Sequence, residues 1–293
     1  MNIGCIPAYN EEVKIGHIVK RALLYVDKVI VCDDGSSDNT ATVAKKAGAT
    51  VVSHKTNQGY GAAISTLFDY CRKNNAEIMV TLDGDGQHNA DQIPNLINVI
   101  LDHHVDVVIG SRSLKDEKGL PSYRKTGIKI ITATINSATN LKVTDSQSGF
   151  RAYSKSAIDL IHPTESGMGV STEILVKISN NGLSIAEVPI TVSYTGDTST
   201  EHPVTHGTHV IGSTLKYVSI KHPMYFYGLP GIIIFISGLI MGVSFLDGYL
   251  DPNEPSVLYG LMLGSIISIL LGSLMIITSI LLFSMANLVR GTR

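Results

Sequence analysis

Residues 81–88 of the chain read Thr81-Leu82-Asp83-Gly84-Asp85-Gly86-Gln87-His88 and close a strand-like run, Ile78–Leu82. Two carboxylates one residue apart at the end of a strand can both reach a single cation. Carboxylate oxygens suit Mg²⁺ or Mn²⁺, and such an ion usually also binds substrate phosphate oxygens. Gln87 adds a neutral oxygen ligand. An Asp-x-Asp sequence can also be a plain turn, so the metal site is a hypothesis that other segments must support.

Strand-like and helix-like segments alternate on both sides of this sequence. Strands are predicted at Asn2–Ile6, Lys28–Cys32, Thr50–Ser53, Ile78–Leu82 and Val105–Ile109. Helices are predicted after Asn10, which can cap the first one, then up to about Gly48, over Gly61–Arg72 and over Asp91–Leu101. Strands that alternate with helices form βαβ units. The sequence therefore predicts an α/β fold, with a Rossmann-like, mostly parallel sheet and helices on both faces.

The pattern is less regular after residue 120. A helix is predicted from Tyr123 to about Thr139, and strands near Gly149–Tyr153 and Ser184–Pro189. About 200 residues are ample for one α/β domain with its own core. We therefore predict a single domain over residues 1–208.

Polar side chains also follow the first two predicted strands. Pro7-Ala8-Tyr9-Asn10-Glu11-Glu12 comes after the first strand, and Asp33-Asp34-Gly35-Ser36-Ser37-Asp38 comes after the second. Ligands of open α/β sheets bind beyond the carboxyl ends of the strands. Pro7 is expected to fix the exit from its strand. Tyr9 offers a flat ring to a nucleobase, and Asp33 can accept the ring N–H of uracil or guanine. For residues 36–38 a turn with a helix cap is the better interpretation.

Charged residues are distributed unevenly along the 293 residues. The chain has 23 Lys and Arg and 25 Asp and Glu, yet none of them lies within 225–246 or 257–289. Both segments are long enough to cross a bilayer. The nearly balanced charge argues against binding of nucleic acid through a broad basic surface. The sequence thus predicts two transmembrane helices within 225–289, at about 225–246 and 257–284.

The segment 209–224, between the domain and the first span, carries one apolar stripe with Lys216 and Lys221 beside it. This pattern predicts an interfacial helix on the bilayer surface. An acidic connector joins the spans, whereas Lys and Arg flank their outer ends. By the positive-inside rule, the domain and both termini of this two-span membrane protein are predicted to face the cytoplasm.

The three cysteines, Cys5, Cys32 and Cys71, are far apart and form no Cys-x-x-Cys pair. Cys5 and Cys32 lie inside predicted strands. Small buried side chains in a reducing compartment are therefore favoured over a disulfide or a metal role.

Six motifs in a fixed order give the sequence a wider resemblance. They are Pro7-Ala8-Tyr9-Asn10-Glu11, Asp33-Asp34-Gly35-Ser36-x-Asp38-x-Thr40, Asn57-x-Gly59-x-Gly61, Asp83-x-Asp85-x-Gln87-His88, Gly110-Ser111-Arg112 and Ser148-Gly149-Phe150-Arg151-Ala152. This set resembles family-2 glycosyltransferases of the GT-A fold, and most closely the polyprenyl-phosphate (dolichyl-phosphate) sugar synthases. The resemblance runs from about Ile3 to Pro189.

The resemblance implies transfer of a sugar, with inversion, from a GDP- or UDP-linked donor to the phosphate of a membrane isoprenoid. It implies Mg²⁺ or Mn²⁺ as cofactor and leaves a homo-oligomer open. An acceptor phosphate is already anionic at neutral pH and needs little help from a general base. The reaction instead needs charge neutralisation on the leaving diphosphate and alignment of the attacking oxygen, which a divalent ion and arginines can provide.

The same resemblance assigns the site residues. Nucleotide contacts fall on Pro7, Tyr9, Glu11, Val31, Asp33, Asp83 and Gly84, and metal ligands on Asp83, Asp85 and Gln87. Catalytic roles fall on Asp85, Arg112 and Arg124, and contacts to the acceptor phosphate on Arg112, Arg124, Arg151 and His206. Without the resemblance, surface salt bridges would explain Arg112 and Arg124 equally well.

The chain departs from the family pattern in two places. Tyr60 stands where these synthases often have Lys, and Tyr194–Ser199 lacks the basic residues usual after the late strand. The usual diphosphate clamp and any donor preference are therefore in doubt. His202, His206 and His209 follow, and a solvated loop or contact with the acceptor phosphate explains them better than a zinc site without a fourth ligand.

Three other functions fit the sequence less well. A related enzyme that extends a glycolipid or polysaccharide usually has more spans and a Gln-x-x-Arg-Trp element, and this chain has no Trp. A silent membrane scaffold would not need the complete Asp83, Asp85 and Gln87 set. A dinucleotide-binding dehydrogenase would need a third glycine after Gly59 and Gly61, and an acidic residue about 20 positions on.

Overall fold

The computed structural model describes residues 1–112, 122–139, 141–192, 219, 223–249 and 255–291. The chain divides into two compact units, Met1–Thr214 and Leu215–Arg293. The predicted boundary at 208 and almost all of the predicted interfacial helix, 209–224, fall outside the described residues.

Seven strands form one sheet within the described part of the first unit, in the order β3-β2-β1-β4-β6-β5-β7. They are β1 (Asn2–Ala8), β2 (Lys28–Asp33), β3 (Thr50–Ser53), β4 (Ile78–Thr81), β5 (Val107–Ser111), β6 (Arg151–Ser154) and β7 (Ile185–Pro189). Only β6, between β4 and β5, runs antiparallel to its neighbours. The predicted α/β fold with a mostly parallel sheet is confirmed.

Helices cover both faces of this sheet. They are α1 (Ile15–Ala22), α2 (Thr40–Lys46), α3 (Tyr60–Lys73), α4 (Ile93–His103), α5 (Ser122–Thr139), α6 (Lys155–Leu160) and α7 (Val170–Asn180). Helices α1, α2 and α4 share one buried apolar cluster, and α3, α5, α6 and α7 share another. Alternate residues of β1 supply both clusters, Ile6 to the first and Cys5 to the second. A strand buried on both faces reads as a continuous apolar run, which is why β1, β2 and β4 were visible in the sequence.

The structure corrects two local predictions and adds two helices. Helix α1 begins at Ile15, and Asn10 lies in the left-handed region at φ 55° instead of capping the helix. Strand β1 continues through Pro7 to Ala8, and Pro7 is tolerated there because the pairing of β1 with β4 stops at Cys5. Helices α6 and α7 are additional to the predicted elements. Helix α6 has six residues, too few to show a helical period, whereas Val170, Ile174 and Ile178 of α7 do recur at helical spacing.

The three cysteines are buried, as predicted, and none of them is in a disulfide. Cys5 Sγ on β1 lies 3.4 Å from Cys71 Sγ on α3. The pair is therefore a packing contact between the sheet and the helix that covers it.

The second unit contains a π-helical turn, Met224–Gly228, followed by α8 (Leu229–Tyr249) and α9 (Pro255–Gly291). Two stretches, Met224–Asp247 and Tyr259–Met285, are long and apolar enough to cross a membrane, and most of their apolar residues are not buried inside the structure. The helices approach closely where small residues meet. A Cβ added to Gly272 would lie 2.6 Å from the Phe235 nitrogen, and Ser265 Oγ donates to the Gly238 carbonyl at 2.9 Å.

Candidate active site

The candidate site lies at the carboxyl edge of β2, β1 and β4, which are neighbouring parallel strands. Backbone hydrogen bonds continue the sheet into the loops that follow. The Asp34 amide donates to the Ala8 carbonyl at 2.9 Å, and the Leu82 amide donates to the Cys5 carbonyl at 3.1 Å. Three polar loops, which are distant in sequence, therefore leave the sheet side by side.

The loop after β1 and the loop after β2 are bonded to each other. The Asn10 amide donates to Ser36 Oγ at 2.9 Å, and Asn10 Oδ1 accepts from the Ser37 amide at 2.9 Å. The Glu11 amide donates to Thr40 Oγ1 at 2.7 Å. Residues 36–38 are thus more than a turn with a helix cap, because they bind the neighbouring loop.

Asp34 joins a third segment to these loops. Its buried carboxylate accepts from the amides of Gln58 and Gly59, at 3.0 and 2.8 Å, and from His54 Nδ1 at 2.6 Å. A Cβ on Gly35, at φ +72°, would lie 2.7 Å from the Asn57 nitrogen. Close contact between these loops therefore requires glycine at position 35.

The Asp83 carboxylate is held from three directions. Tyr60 donates its hydroxyl to Asp83 Oδ1 at 3.1 Å, and His88 Nδ1 lies 3.5 Å from Asp83 Oδ2. A Cβ on Gly149 would lie 2.6 Å from Asp83 Oδ1, so the glycine lets the backbone pass against the carboxylate. Burial, and next the charge of Asp83, raise the pKa of Tyr60 well above its usual value.

Asp85 is the second carboxylate of the pair. Its Oδ1 accepts from the Gln87 amide at 2.9 Å. Burial, followed by the charge of Asp83, raises the pKa of Asp85. A cation bound by both carboxylates would reduce the repulsion between them.

The oxygen ligands present fit a divalent ion that is shared with a substrate. Within the residues described here, no three His, Cys, Asp or Glu side chains form a group that could hold a metal. Mg²⁺ is commonly bound by one or two carboxylates together with substrate phosphates, so Asp83 and Asp85 suffice for such an ion.

Glu11 lies beside this pair. A Cβ on Gly84 would lie 3.1 Å from the Pro7 carbonyl oxygen and 3.5 Å from Glu11 Cγ, which shows how closely the loops after β1 and β4 approach. Burial, and next the charge of Asp85, raise the pKa of Glu11 to about 7. Glu11, Asp83 and Asp85 therefore lie close together in the site, and their negative charges repel one another.

Arg112, at the end of β5, is fixed by a buried carboxylate. Its Nε and Nη2 donate to the two oxygens of Asp145, at 2.7 and 2.8 Å, and its backbone amide donates to the same side chain. Burial alone would raise the pKa of Asp145, but the hydrogen bonds and charge of Arg112 hold it below its usual value. Glu187 on β7 accepts from the amides of Thr144 and Asp145 and so anchors this loop.

Comparison with known proteins assigns the family. Residues 5–161, more than half of the chain, match the family model Glycosyl transferase family 2. The chain belongs to this family. It is therefore a glycosyltransferase.

Relatives and solved structures agree with this assignment. The UDP-N-acetylglucosamine–dolichyl-phosphate N-acetylglucosaminyltransferase of Methanococcus voltae is 34% identical over an alignment of 238 positions that covers 72% of this chain and 92% of that protein. The dolichyl-phosphate hexose transferase of Haloferax volcanii is 32% identical over 62% of this chain and 78% of the relative. Glucosyl-3-phosphoglycerate synthase from Mycobacterium tuberculosis, in complex with UDP, superposes with a TM-score of 0.61 at 23% identity, over 75% of this chain and 80% of that one. The superposition shows that the glycosyltransferase has the GT-A fold.

The residues predicted for the nucleotide fall into two groups. Tyr9 is 38% exposed, whereas Asp33 is buried and its Oδ1 accepts from the Ser36 amide at 3.2 Å. The side chain of Val31 is fully buried in β2 and packs in the core, so only its backbone could reach a nucleotide, and the contact stays a prediction. Pro7 is also buried, inside β1 and not at its exit.

Arg151 contacts backbone carbonyls of its own domain. The residue is 2% exposed, and its guanidinium donates to the carbonyls of Ser146 and Ser148 at 2.8 Å and of Ser171 at 3.4 Å. Arg151 is therefore a buried residue that shapes the loop carrying Gly149, and these hydrogen bonds do not support its predicted contact with the acceptor phosphate, which stays a prediction. The side chain of Arg124, on α5, and all of His206 lie outside what the structure describes.

Several residues of the glycosyltransferase site were missed by sequence reasoning. Asp145, Glu187 and His54 each hold a loop, and each lies far in sequence from its partners. Asp145 lies three residues before the recognised motif at 148–152, and this is the one signal that the sequence carried.

Proposed function

We propose that this glycosyltransferase transfers a sugar from a GDP- or UDP-linked donor to a polyprenyl or dolichyl phosphate, with inversion and with a divalent ion. The observation that carries the proposal is the Asp83–Asp85 pair, held at the carboxyl edge of the sheet beside the loops after β1 and β2. The two relatives described above support the acceptor, since both are dolichyl-phosphate sugar transferases.

Each part of the site would then have a distinct task. Asp83, Asp85 and Gln87 would hold Mg²⁺ or Mn²⁺, which when bound neutralises the leaving diphosphate. Tyr9 and Asp33 would bind the nucleoside, and Glu11 and Gly84 would line its diphosphate side. Arg112, oriented by Asp145, and Arg124 would bind the acceptor phosphate, because the planar guanidinium matches phosphate oxygens.

The two apolar helices fit an acceptor that is itself a membrane lipid. Most of their surface is exposed and apolar. With both spans in the bilayer, the domain and both termini would face the cytoplasm, and the product would supply glycoprotein or cell-surface glycan synthesis.

A donor screen tests the proposal directly. The full chain in detergent or nanodiscs is given an isoprenyl phosphate, Mn²⁺ or Mg²⁺, and UDP-N-acetylglucosamine, UDP-glucose or GDP-mannose in turn. We expect one donor to give a glycosylated lipid with release of the nucleoside diphosphate. The proposal fails if no donor is used by protein that still binds nucleotide. Repeated addition of sugar to the product would indicate instead an enzyme that extends a glycan.

Asp85→Ala tests the metal assignment. Because outer-shell partners of a metal already contribute about 10-fold to 100-fold, loss of a direct ligand should lower turnover by at least about 100-fold. The melting temperature should stay close to that of the unsubstituted chain. Asp159→Ala is the matched control, since Asp159 is an exposed carboxylate on α6 that pairs only loosely with Lys155, at 3.8 Å. Full activity of Asp85→Ala would contradict the assignment.

A further inference from the structure

Tyr60 makes an unusual contact for a residue where related synthases often carry lysine. It is the first residue of α3, and its hydroxyl donates to Asp83 Oδ1 at 3.1 Å. A phenol hydroxyl is neutral at physiological pH, whereas a lysine ammonium would bring a positive charge.

The backbone around Tyr60 is fixed on both sides. Before it, the amides of Gln58 and Gly59 donate to the Asp34 carboxylate. After it, the Gly61 amide donates to the Ser166 carbonyl at 2.8 Å. The start of α3 cannot shift easily, so the hydroxyl reaches Asp83 from a defined point.

Two other residues limit the space around the Asp83 carboxylate. Gly149 lies against the carboxylate, and its own carbonyl accepts from Thr81 Oγ1 at 2.8 Å. His88, whose side chain is 5% exposed, lies 3.5 Å from Asp83 Oδ2. Gly149 and His88 limit the rotation of the Asp83 carboxylate, and the hydrogen bond from Tyr60 then determines its orientation.

We propose that Tyr60 is a positioning residue that orients the Asp83 carboxylate for a divalent cation and leaves its negative charge uncompensated. The inference rests on the proposed function, since it takes Asp83 as a cation ligand. A neutral donor orients an anionic ligand without competing with the cation for its charge.

The test is Mn²⁺ binding by the full chain in detergent, followed by the EPR signal of unbound Mn²⁺, with saturating UDP or GDP, whichever gives the tighter binding. Tyr60→Phe keeps the ring and removes only the hydroxyl, and it should weaken Mn²⁺ binding about 10-fold or more. Tyr70→Phe is the matched control on the same helix, because the Tyr70 hydroxyl accepts from Lys28 Nζ at 2.7 Å instead. It should bind Mn²⁺ like the unsubstituted chain.

A second variant, Tyr60→Lys, restores a donor with a positive charge and should also bind Mn²⁺ more weakly than the unsubstituted chain. The metal-free melting temperature of each variant is measured alongside. If either variant loses thermal stability but keeps its Mn²⁺ affinity, the hydroxyl is only structural and the inference is overturned.

Asp85→Ala separates this inference from the proposed function. If Asp85→Ala weakens Mn²⁺ binding and Tyr60→Phe does not, the role of Tyr60 is wrong and the metal site stands. If the unsubstituted chain binds no Mn²⁺, or Asp85→Ala binds it equally well, the metal assignment fails and the inference fails with it.

Discussion

At the scale of single residues, Asp145 shows how one buried carboxylate orients an arginine side chain. It is fully buried, and both of its oxygens accept from the Arg112 guanidinium. Removing one partner of such a pair leaves the other charge poorly compensated. Arg112 is therefore oriented before any substrate arrives.

Asp145→Asn should lower the free energy of unfolding by about 2 kcal/mol at pH 7. The folded-state pKa of Asp145 lies below its usual value of 3.8, so its stabilisation is present above that pH and is lost as the pH falls through the folded pKa. The difference between the variant and the unsubstituted chain should therefore shrink below about pH 4. Unfolding at pH 7, 5 and 3.5 measures it. Asp69→Asn, at an exposed pair with Arg72, should change stability by less than about 0.5 kcal/mol and is the control.

Glu11 gives the opposite pH dependence. Its pKa rises from 4.5 in the unfolded chain to about 7 in the fold, because it is partly buried beside Asp85. The folded state then holds the extra proton, so stability is fully present below pH 4.5 and is lost as the pH rises to about 7.

Glu11→Gln should therefore melt at a higher temperature than the unsubstituted chain at pH 8 without divalent ions, and at the same temperature at pH 4.5. Glu77→Gln, at a carboxylate that is 74% exposed, should show no such pH-dependent difference in melting temperature and serves as the control. A melting difference for Glu11→Gln that does not vary with pH would show that the carboxyl does not titrate in this range.

At the scale of elements, the start of α3 depends on a loop between α6 and α7. The Ser166 carbonyl accepts from the amides of Gly61 and Ala62. These amides lie in the first turn of α3, where no preceding helical carbonyl can accept their hydrogen bonds. The Glu173 carboxylate accepts from the amides of Thr164 and Glu165, so α7 holds the loop in place. Two glycines, Gly59 and Gly61, leave room for it.

Gly61→Ala should destabilise the protein by about 3 kcal/mol, because its Cβ would meet backbone carbonyls of residues 165 and 167 that cannot move aside. Gly127→Ala is the matched control on α5, where nothing lies within 4 Å of the added Cβ, and it should stabilise by about 0.5–1 kcal/mol. Chemical denaturation of both variants tests the pair. Equal effects would show that the loop does not constrain α3.

At the scale of the whole molecule, the orientation of the chain in a membrane can be tested because its three cysteines are buried. A cysteine at Asn253, in the acidic connector, should react with a membrane-impermeant maleimide added to intact cells. Leu24→Cys, at a side chain that is 64% exposed in the domain, should react only after permeabilisation. The unsubstituted chain should stay unlabelled, and the reverse pattern would overturn the predicted cytoplasmic domain.

Most of the fold could be predicted because its strongest signals are local. Strands β1, β2 and β4 are buried on both faces and form continuous apolar runs, and the C-terminal segments lack charge over membrane length. The order of polar loops after these strands also located the Asp83–Asp85 pair, since carboxyl ends of parallel strands meet at one edge. Helix α6 escaped prediction because six residues are too few to show a period, whereas α7 does carry helical apolar spacing at Val170, Ile174 and Ile178 that was missed.

By itself, the sequence determined the α/β architecture, the membrane-length helices and the edge at which acidic side chains gather, since burial and charge leave periodic marks along a chain. The tertiary structure alone decided what each polar side chain contacts. It turned Arg151 inward to three carbonyls, placed Val31 in the core, and brought Tyr60 to Asp83 and Asp145 to Arg112. The Tyr60–Asp83 and Arg112–Asp145 contacts join residues 23 and 33 positions apart, and Arg151 also reaches the Ser171 carbonyl, 20 positions on. Only the folded packing of the loops sets those distances.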